Sequence, residues 1–178
     1  MDTIAERLVI CVVDEIANYQ RQNITHILSV ANPKIKTVRP KWFTGEFLEL
    51  KFGDINSVSD AAKYKTIAPS IDDVARAVEF ISRAWSVSRS KVLIHCDYGI
   101  SRSSALAYVA VTNELGVGSE EKALLTVLNI QPSAVPNLLV VQLGDEFLKR
   151  SGALLKPMYK HYKQIMKEFT LGWQGMDF

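Results

Sequence analysis

Cys96 and Arg102 stand in the middle of the chain with five residues between them, and their side chains have complementary chemistry. A thiolate is a strong nucleophile, and a guanidinium offers a planar fork that binds two oxygens of an oxyanion. Gly99 lies between them, where glycine permits a tight backbone turn. A loop of this length can wrap a tetrahedral phosphoryl group with its own amides. The spacing therefore predicts a phosphate-binding loop with a nucleophile at its floor.

The segments on either side of this loop predict how it is held. Residues 91–95 contain an apolar run of strand length, and residues 104–110 are apolar and alanine-rich, as in a buried helix. A strand that turns into a helix N-terminus directs free backbone N–H groups and the helix dipole at the turn. The same field stabilises a thiolate at Cys96.

Neighbouring side chains suggest supporting roles. Either Ser103 or Ser101 could donate a hydroxyl hydrogen bond to the Cys96 sulfur and help it to leave in a second step. We expect His95 to orient the loop through hydrogen bonds rather than to act as a base. Cys11 also follows an apolar strand but has no glycine turn after it, so it is predicted to be a small buried side chain. A redox partnership with Cys96 is the alternative.

Phosphoryl transfer also needs a proton donor for the leaving oxygen. Asp54 directly follows the predicted strand 47–52, and the carboxyl ends of strands are where ligands bind in sheets of this kind. Asp60, in the irregular segment beyond, is the rival. Asp72 and Asp73 are expected in the first turn of a helix, where acidic residues suit the dipole.

The order of elements predicts an α/β fold, with a central mixed, largely parallel sheet flanked by helices. Basic residues at 32–41 indicate a solvated loop, with substrate docking as the alternative. The last predicted helix, 157–169, has a basic face and an apolar face that includes Phe169; packing against the domain is favoured over a membrane surface. The tail from Trp173 to Phe178 is expected to be mobile. Strands are predicted at 8–13, 24–30, 47–52 and 91–95, and further helices at 71–85, 118–128 and 137–149. Ser70 and Asp73 form a capping-box pattern at the start of the first of these helices, and Asn137 is expected to cap the last.

Composition narrows the function further. The chain has 178 residues, 48% hydrophobic, with a net charge of +2, which is too small to indicate nucleic acid as a partner. No apolar run is long enough for stable membrane insertion, and the N-terminus has no secretory pattern. Two cysteines and three dispersed histidines predict neither a disulfide framework nor a metal site. We expect a single cytoplasmic domain over 1–178, with its core at about 8–150, a C-terminal helix and tail at 155–178, and no cofactor.

Residues 95–103, His-Cys-Asp-Tyr-Gly-Ile-Ser-Arg-Ser, resemble the signature loop of the cysteine-dependent protein tyrosine phosphatases. The likeness is to their dual-specificity branch and its small bacterial relatives. Residues 23–30 resemble the family's second strand, and residues 48–54 resemble the strand that ends in its general-acid aspartate. The resemblance covers about 8–150 and implies that family's fold.

The resemblance also implies a two-step hydrolysis without metal. Cys96 would attack phosphorus while Asp54 protonates the leaving group, giving a phosphocysteine that water then releases. Arg102 and the amides of the loop would hold the phosphoryl oxygens. The substrate implied is phosphotyrosine in a protein or peptide, with phosphoserine and phosphothreonine as further candidates. The residues expected to bind it are Asp97, Tyr98, Gly99, Ile100, Ser101 and Arg102.

Two loop residues depart from the pattern of relatives. Asp97 is acidic beside the thiolate; we expect its side chain to point away from the loop and to disfavour polyanionic phosphoinositides. Tyr98 is expected to narrow the pocket or to meet an aromatic ring of the substrate. Three alternatives stay open: a phosphatase of a nucleotide, RNA 5′-end or lipid, a non-catalytic phospho-binding module, and a sulfur-transfer enzyme.

Overall fold

The chain folds around a parallel sheet, in which the carboxyl ends of all the strands lie along the same edge. The structure, a computed structural model, describes the backbone of residues 3–174 and the side chains of residues 3–167. The described strands form one four-stranded sheet in the order β1-β4-β2-β3, and every neighbouring pair is parallel. This confirms the predicted α/β class and its largely parallel sheet. The strands are β1 (Leu8–Val12), β2 (His26–Ala31), β3 (Glu46–Lys51) and β4 (Val92–Cys96).

Helices follow the strands closely. A 3₁₀ helix (Val13–Tyr19) follows β1, and a short helix lies in the segment after β3, which the sequence had indicated as irregular. The α-helices are α1 (Asp60–Lys63), α2 (Ile71–Ser86), α3 (Arg102–Leu115), α4 (Glu120–Ile130), α5 (Leu138–Phe147) and α6 (Leu155–Gln174).

β4 is the strand that positions the loop. It lies inside the sheet, between β1 and β2, and all five of its side chains are buried. α3 begins directly after the loop and is buried through most of its length, which fits its alanine-rich sequence. Because both the strand and the helix are packed on all sides, the loop between them is held from both ends.

Capping side chains set where the helices begin. Ser70 and Asp73 form the predicted capping box at the start of α2, each side chain bonding to the other's backbone N–H. Asn137 caps α5, as predicted, by accepting a hydrogen bond from the Val140 backbone N–H. The cap at Asn137 has a second function in the candidate active site.

The first half of α6 packs against the domain. Met158 is buried in the main core, and the Tyr162 hydroxyl donates a hydrogen bond to the Pro136 carbonyl. Packing is therefore confirmed for this half. The side chain of Phe169 and the tail at 175–178 lie outside the described residues. In the part of the chain that is described, no helix combines the length and apolar character needed to cross a bilayer.

Candidate active site

The loop after β4 turns sharply onto the backbone of β1. Cys96 is the last residue of β4, and α3 begins at Arg102. Gly99 adopts φ +67°, a conformation that favours glycine. A Cβ at this position would also come within 2.6 Å of the Cys11 backbone carbonyl carbon. Both the turn and the close approach therefore require glycine here.

The hydroxyl beside the Cys96 sulfur belongs to Ser103. Its Oγ lies 3.2 Å from Cys96 Sγ, and both residues are buried. The Ser101 hydroxyl instead donates a hydrogen bond to Asp54 Oδ1 at 2.6 Å. Of the two serines that the sequence proposed as donors to sulfur, Ser103 has the suitable position.

Arg102 lies under the loop with only 2% of its surface exposed. Its Nη1 donates to the Phe52 carbonyl at 3.0 Å, and its Nη2 donates to Asp97 Oδ2 at 2.5 Å. Its Nε is buried, has no hydrogen-bond partner among the described residues, and lies 3.8 Å from Asp54 Oδ2. The guanidinium thus faces two carboxylates, and its Nε–H has no hydrogen-bond acceptor among the described residues.

The side chain of Asp97 does not point away from the loop, so that expectation was wrong. Its carboxylate turns back onto Arg102 and stays about one-third exposed. The physical reason is that a buried guanidinium is costly without a counter-charge, and Asp97 is close enough to supply one.

Asp54 lies beside the loop, three residues after the end of β3, a strand that β2 separates from β4 in the sheet. Its Oδ1 accepts hydrogen bonds from Ser101 Oγ and from Asn137 Nδ2, the latter at 2.8 Å. Asp60 begins α1 and, within the described part of the chain, is not among the residues that line the cavity above the loop. Asp54 is therefore the carboxyl group that the structure brings to the loop.

Asn137 is a site residue that the sequence identified only as a helix cap. It is 1% exposed, and its Nδ2 is shared between Asp54 Oδ1 and the Ile55 carbonyl, at 2.8 and 3.0 Å. Its backbone N–H also donates to the Ser101 carbonyl at 3.1 Å. The start of α5 is thus bonded both to the loop and to the segment that carries Asp54. No local sequence signal indicates this second contact.

A cavity of about 260 Å³ opens above Arg102. Tyr98, which is 76% exposed, and Tyr64 stand among its lining residues, so aromatic side chains are available at this cavity. Cys96 is not among the described lining residues, and it is itself almost fully buried. The cavity is thus lined by Asp97 and Arg102, with Cys96 buried at the end of β4. The lining residues are Asn32, Gly53, Asp54, Ile55, Tyr64, Thr66, Asp97, Tyr98 and Arg102.

Burial governs the two remaining residues singled out by the sequence. Burial lowers the pKa of His95 to about 4, against a smaller opposing effect of Asp97, so the imidazole is neutral at neutral pH. The Nδ1 atom is buried and has no hydrogen-bond partner in the described part of the chain, so this atom makes none of the hydrogen bonds by which His95 was expected to orient the loop. Burial also raises the pKa of Cys11 to about 12, which keeps this thiol protonated and confirms it as a buried side chain.

Known proteins with a similar sequence or fold are phosphatases and phosphatase-like proteins. No protein-family model matches the chain. The rat protein phosphatase Slingshot homolog 3 is 30% identical over 118 residues, which are 66% of this chain and 16% of that protein. The chain thus spans about one sixth of the length of this curated relative.

Solved structures match over most of the chain at low sequence identity. Human DUSP28 superposes with a TM-score of 0.64 at 15% identity, covering 86% of this chain and 99% of that one. The human tyrosine phosphatase-like serine/threonine/tyrosine-interacting protein gives 0.60 at 22% identity, with 83% and 94% covered. PTPMT1, solved in complex with PI(5)P, gives 0.61 at 15% identity, with 84% and 94% covered.

The chain has the fold of the tyrosine and dual-specificity phosphatases, and its sequence similarity is to a protein phosphatase. These likenesses and the signature loop at residues 95–103 support the cysteine-dependent protein tyrosine phosphatase superfamily.

Proposed function

We propose that this chain hydrolyses phosphomonoesters, chiefly phosphotyrosine in proteins or peptides, with phosphoserine and phosphothreonine as further substrates. The observation that carries the proposal is the meeting of Cys96, Arg102 and Asp54 at one edge of the sheet. These groups are a nucleophile, a cation for the phosphoryl oxygens and a proton donor, which are the parts that such a reaction needs. Both cysteines are free thiols. Because a reactive thiol persists in reducing compartments, we place the activity in the cytoplasm.

In the first step, the Cys96 thiolate attacks phosphorus. The S–P bond forms as the P–O bond to the leaving oxygen breaks, and Asp54 gives that oxygen its proton. The loop amides and Arg102 hold the three equatorial oxygens of the phosphoryl group throughout. The Ser101 and Asn137 hydrogen bonds on Oδ1 leave Asp54 Oδ2 free to carry and deliver the proton.

In the second step, water replaces the thiolate. The Asp54 carboxylate takes a proton from water while the water oxygen attacks phosphorus. The S–P bond breaks, and its electron pair returns to sulfur. The Ser103 hydroxyl, 3.2 Å from Sγ, can donate a hydrogen bond to the departing thiolate and lower its energy.

The aromatic side chains at the cavity support an aryl phosphate as substrate. Tyr98 and Tyr64 are both exposed and both line the cavity. A phosphotyrosine ring that enters the cavity would contact them, and aromatic pairs contribute about 0.5–1.5 kcal/mol beyond the apolar area they bury. Tyr98→Ala should therefore raise the KM for a phosphotyrosine peptide more than the KM for the matching phosphoserine peptide.

Hydrolysis of 4-nitrophenyl phosphate in the presence of EDTA tests the chemistry. Cys96→Ser should abolish turnover, with Cys11→Ser as the matched control that keeps it. Asp54→Ala should lower kcat by about 10²–10⁴-fold, whereas Asp60→Ala should leave kcat nearly unchanged. Full activity in Cys96→Ser would refute the mechanism. A severe loss in Asp60→Ala with a mild one in Asp54→Ala would transfer the acid role to Asp60.

The substrate class needs a separate test. A panel of phosphotyrosine, phosphoserine and phosphothreonine peptides, a nucleoside monophosphate and a phosphoinositide should give the highest kcat/KM with the phosphotyrosine peptide. Faster turnover of the nucleotide or the lipid would indicate that this compound class, rather than a phosphorylated protein, is the substrate. Tight binding of a phosphopeptide without any turnover by the unmodified chain would indicate a binding module.

A further inference from the structure

The contact between Asp97 and Arg102 occupies an N–H group that an oxyanion would use. Arg102 Nη2 donates to Asp97 Oδ2 at 2.5 Å, a charge-assisted hydrogen bond. Both residues line the cavity above the loop. A carboxylate oxygen of the chain itself therefore holds the guanidinium in the free protein.

Arg102 does not depend on Asp97 for its orientation. Its Nη1 already donates to the Phe52 backbone carbonyl at 3.0 Å, and the whole side chain is buried. Phe52 directly follows β3 and is fully buried, so its backbone carbonyl is a fixed acceptor. By contrast, the Asp97 side chain is about one-third exposed, which leaves it room to turn toward solvent. The rigid partner of the arginine is thus Phe52, and the replaceable one is Asp97.

Asp54 is less suited than Asp97 to occupy an N–H group of Arg102. Its Oδ1 is held by Ser101 and Asn137, and its Oδ2 stays 3.8 Å from Arg102 Nε, beyond hydrogen-bond distance. The charged residues that line the cavity are therefore one guanidinium and two carboxylates, of which only the Asp97 carboxylate bonds to the cation. An incoming phosphoryl group meets this competing anion first.

We propose that Asp97 is an internal competitor of the phosphoryl group: it binds Arg102 Nη2 in the free protein and must be displaced before an oxyanion can take its place at this nitrogen. The proposal rests on the proposed function, and it concerns affinity rather than the chemical step. Asp97 weakens the binding of phosphate, which reduces inhibition by the product and makes binding depend more on contacts with the rest of the substrate. After displacement, its charge stays at the cavity and repels substrates with further phosphate groups.

Calorimetric binding of tungstate, a tetrahedral dianion, measures this competition without any turnover. Asp97→Asn should bind tungstate about tenfold more tightly than the unmodified chain, because one charge-assisted hydrogen bond no longer has to be broken. Asp14→Asn is the matched control: it removes an exposed carboxylate of the same size outside this cavity and should change the affinity less than twofold. Equal or weaker tungstate binding by Asp97→Asn would overturn the proposal, since it would make Asp97 a support for Arg102. Asp97→Ala, measured in the same way, distinguishes loss of charge from any new contact made by asparagine.

Product inhibition links this property to catalysis. In Asp97→Asn, inorganic phosphate should inhibit aryl phosphate hydrolysis at about tenfold lower concentration, and the KM should fall in parallel. An unchanged inhibition constant would again refute the competition. If the unmodified chain hydrolyses no phosphomonoester while Asp97→Asn still binds tungstate more tightly, the proposed function fails and the competition stands.

Discussion

Replacing Asn137 by alanine would test how the proposed proton donor is held in place. The side chain is buried; its Nδ2 donates to Asp54 and to the Ile55 carbonyl, and its Oδ1 accepts from the Val140 N–H. Loss of a helix N-cap costs about 1 kcal/mol. A buried carbonyl left without its donor, here that of Ile55, costs about 1–3 kcal/mol. The free energy of unfolding should therefore fall by about 3 kcal/mol, as measured by urea denaturation.

The same substitution should lower turnover by a smaller factor than loss of Asp54 itself. Asp54 would keep its hydrogen bond from Ser101 at 2.6 Å, so it is loosened rather than removed. We expect kcat to fall by about 10–100-fold, against about 10²–10⁴-fold for Asp54→Ala. KM should change little, because Asn137 makes no side-chain hydrogen bond to Arg102 among those described. The loss should be larger for phenyl phosphate than for 4-nitrophenyl phosphate, since only the poorer leaving group depends strongly on protonation.

Two further variants distinguish the helix-capping role of Asn137 from its hydrogen bond to Asp54. Asn137→Asp keeps an acceptor for the Val140 N–H but cannot donate to Asp54, so it should recover part of the stability and none of the kcat. Ser70→Ala removes the N-cap of α2, away from the site, and should lower stability by about 1 kcal/mol with kcat unchanged. The reasoning would be refuted if Asn137→Asp restored kcat, or if Asn137→Ala slowed both substrates equally.

Other substitutions test the framework around the loop. Arg7→Met should lower the free energy of unfolding by about 2–3 kcal/mol without changing KM, because the Arg7 guanidinium donates to buried carbonyls at the end of α2. Gly99→Ala should abolish activity and lower the melting temperature, since its Cβ would collide with the Cys11 backbone; an active, fully stable variant would contradict the loop geometry. His95 has a folded-state pKa of about 4, below its ordinary 6.5, so neutral His95 stabilises the fold above pH 6.5, and this contribution is lost as the pH falls toward 4. Between pH 7.5 and pH 5, the free energy of unfolding of His95→Asn should therefore fall by about 2 kcal/mol less than that of the unmodified chain, as measured by urea denaturation at both pH values.

The sequence was sufficient for the parts of the site that depend on local structure. The strand before Cys96, the turn at Gly99 and the helix from Arg102 are specified by adjacent residues, so their pattern predicts the loop directly. The proximity of Asp54 to the loop followed from one further rule, that the carboxyl ends of parallel strands share an edge. The N-caps at Ser70 and Asn137 could likewise be predicted from the residues next to them in the sequence.

Side-chain contacts across the fold could not be read from the same patterns. The second contact of Asn137, with Asp54, joins residues that only the packing of α5 brings together. The orientation of Asp97 depended on how deeply Arg102 is buried and on which of its N–H groups the Phe52 carbonyl already uses. Such details follow from desolvation and competition among partners, which spacing in the sequence does not encode.

The hydrogen bonds that complete the site also have a consequence for folding kinetics. The bond from Arg102 to Phe52 closes a span of 50 residues, and the bond from Asn137 to Asp54 closes a span of 83. Contacts between segments so distant in sequence require the entropy of large loops to be lost first, and they form slowly. During refolding from urea, helical circular dichroism should therefore return before enzymatic activity.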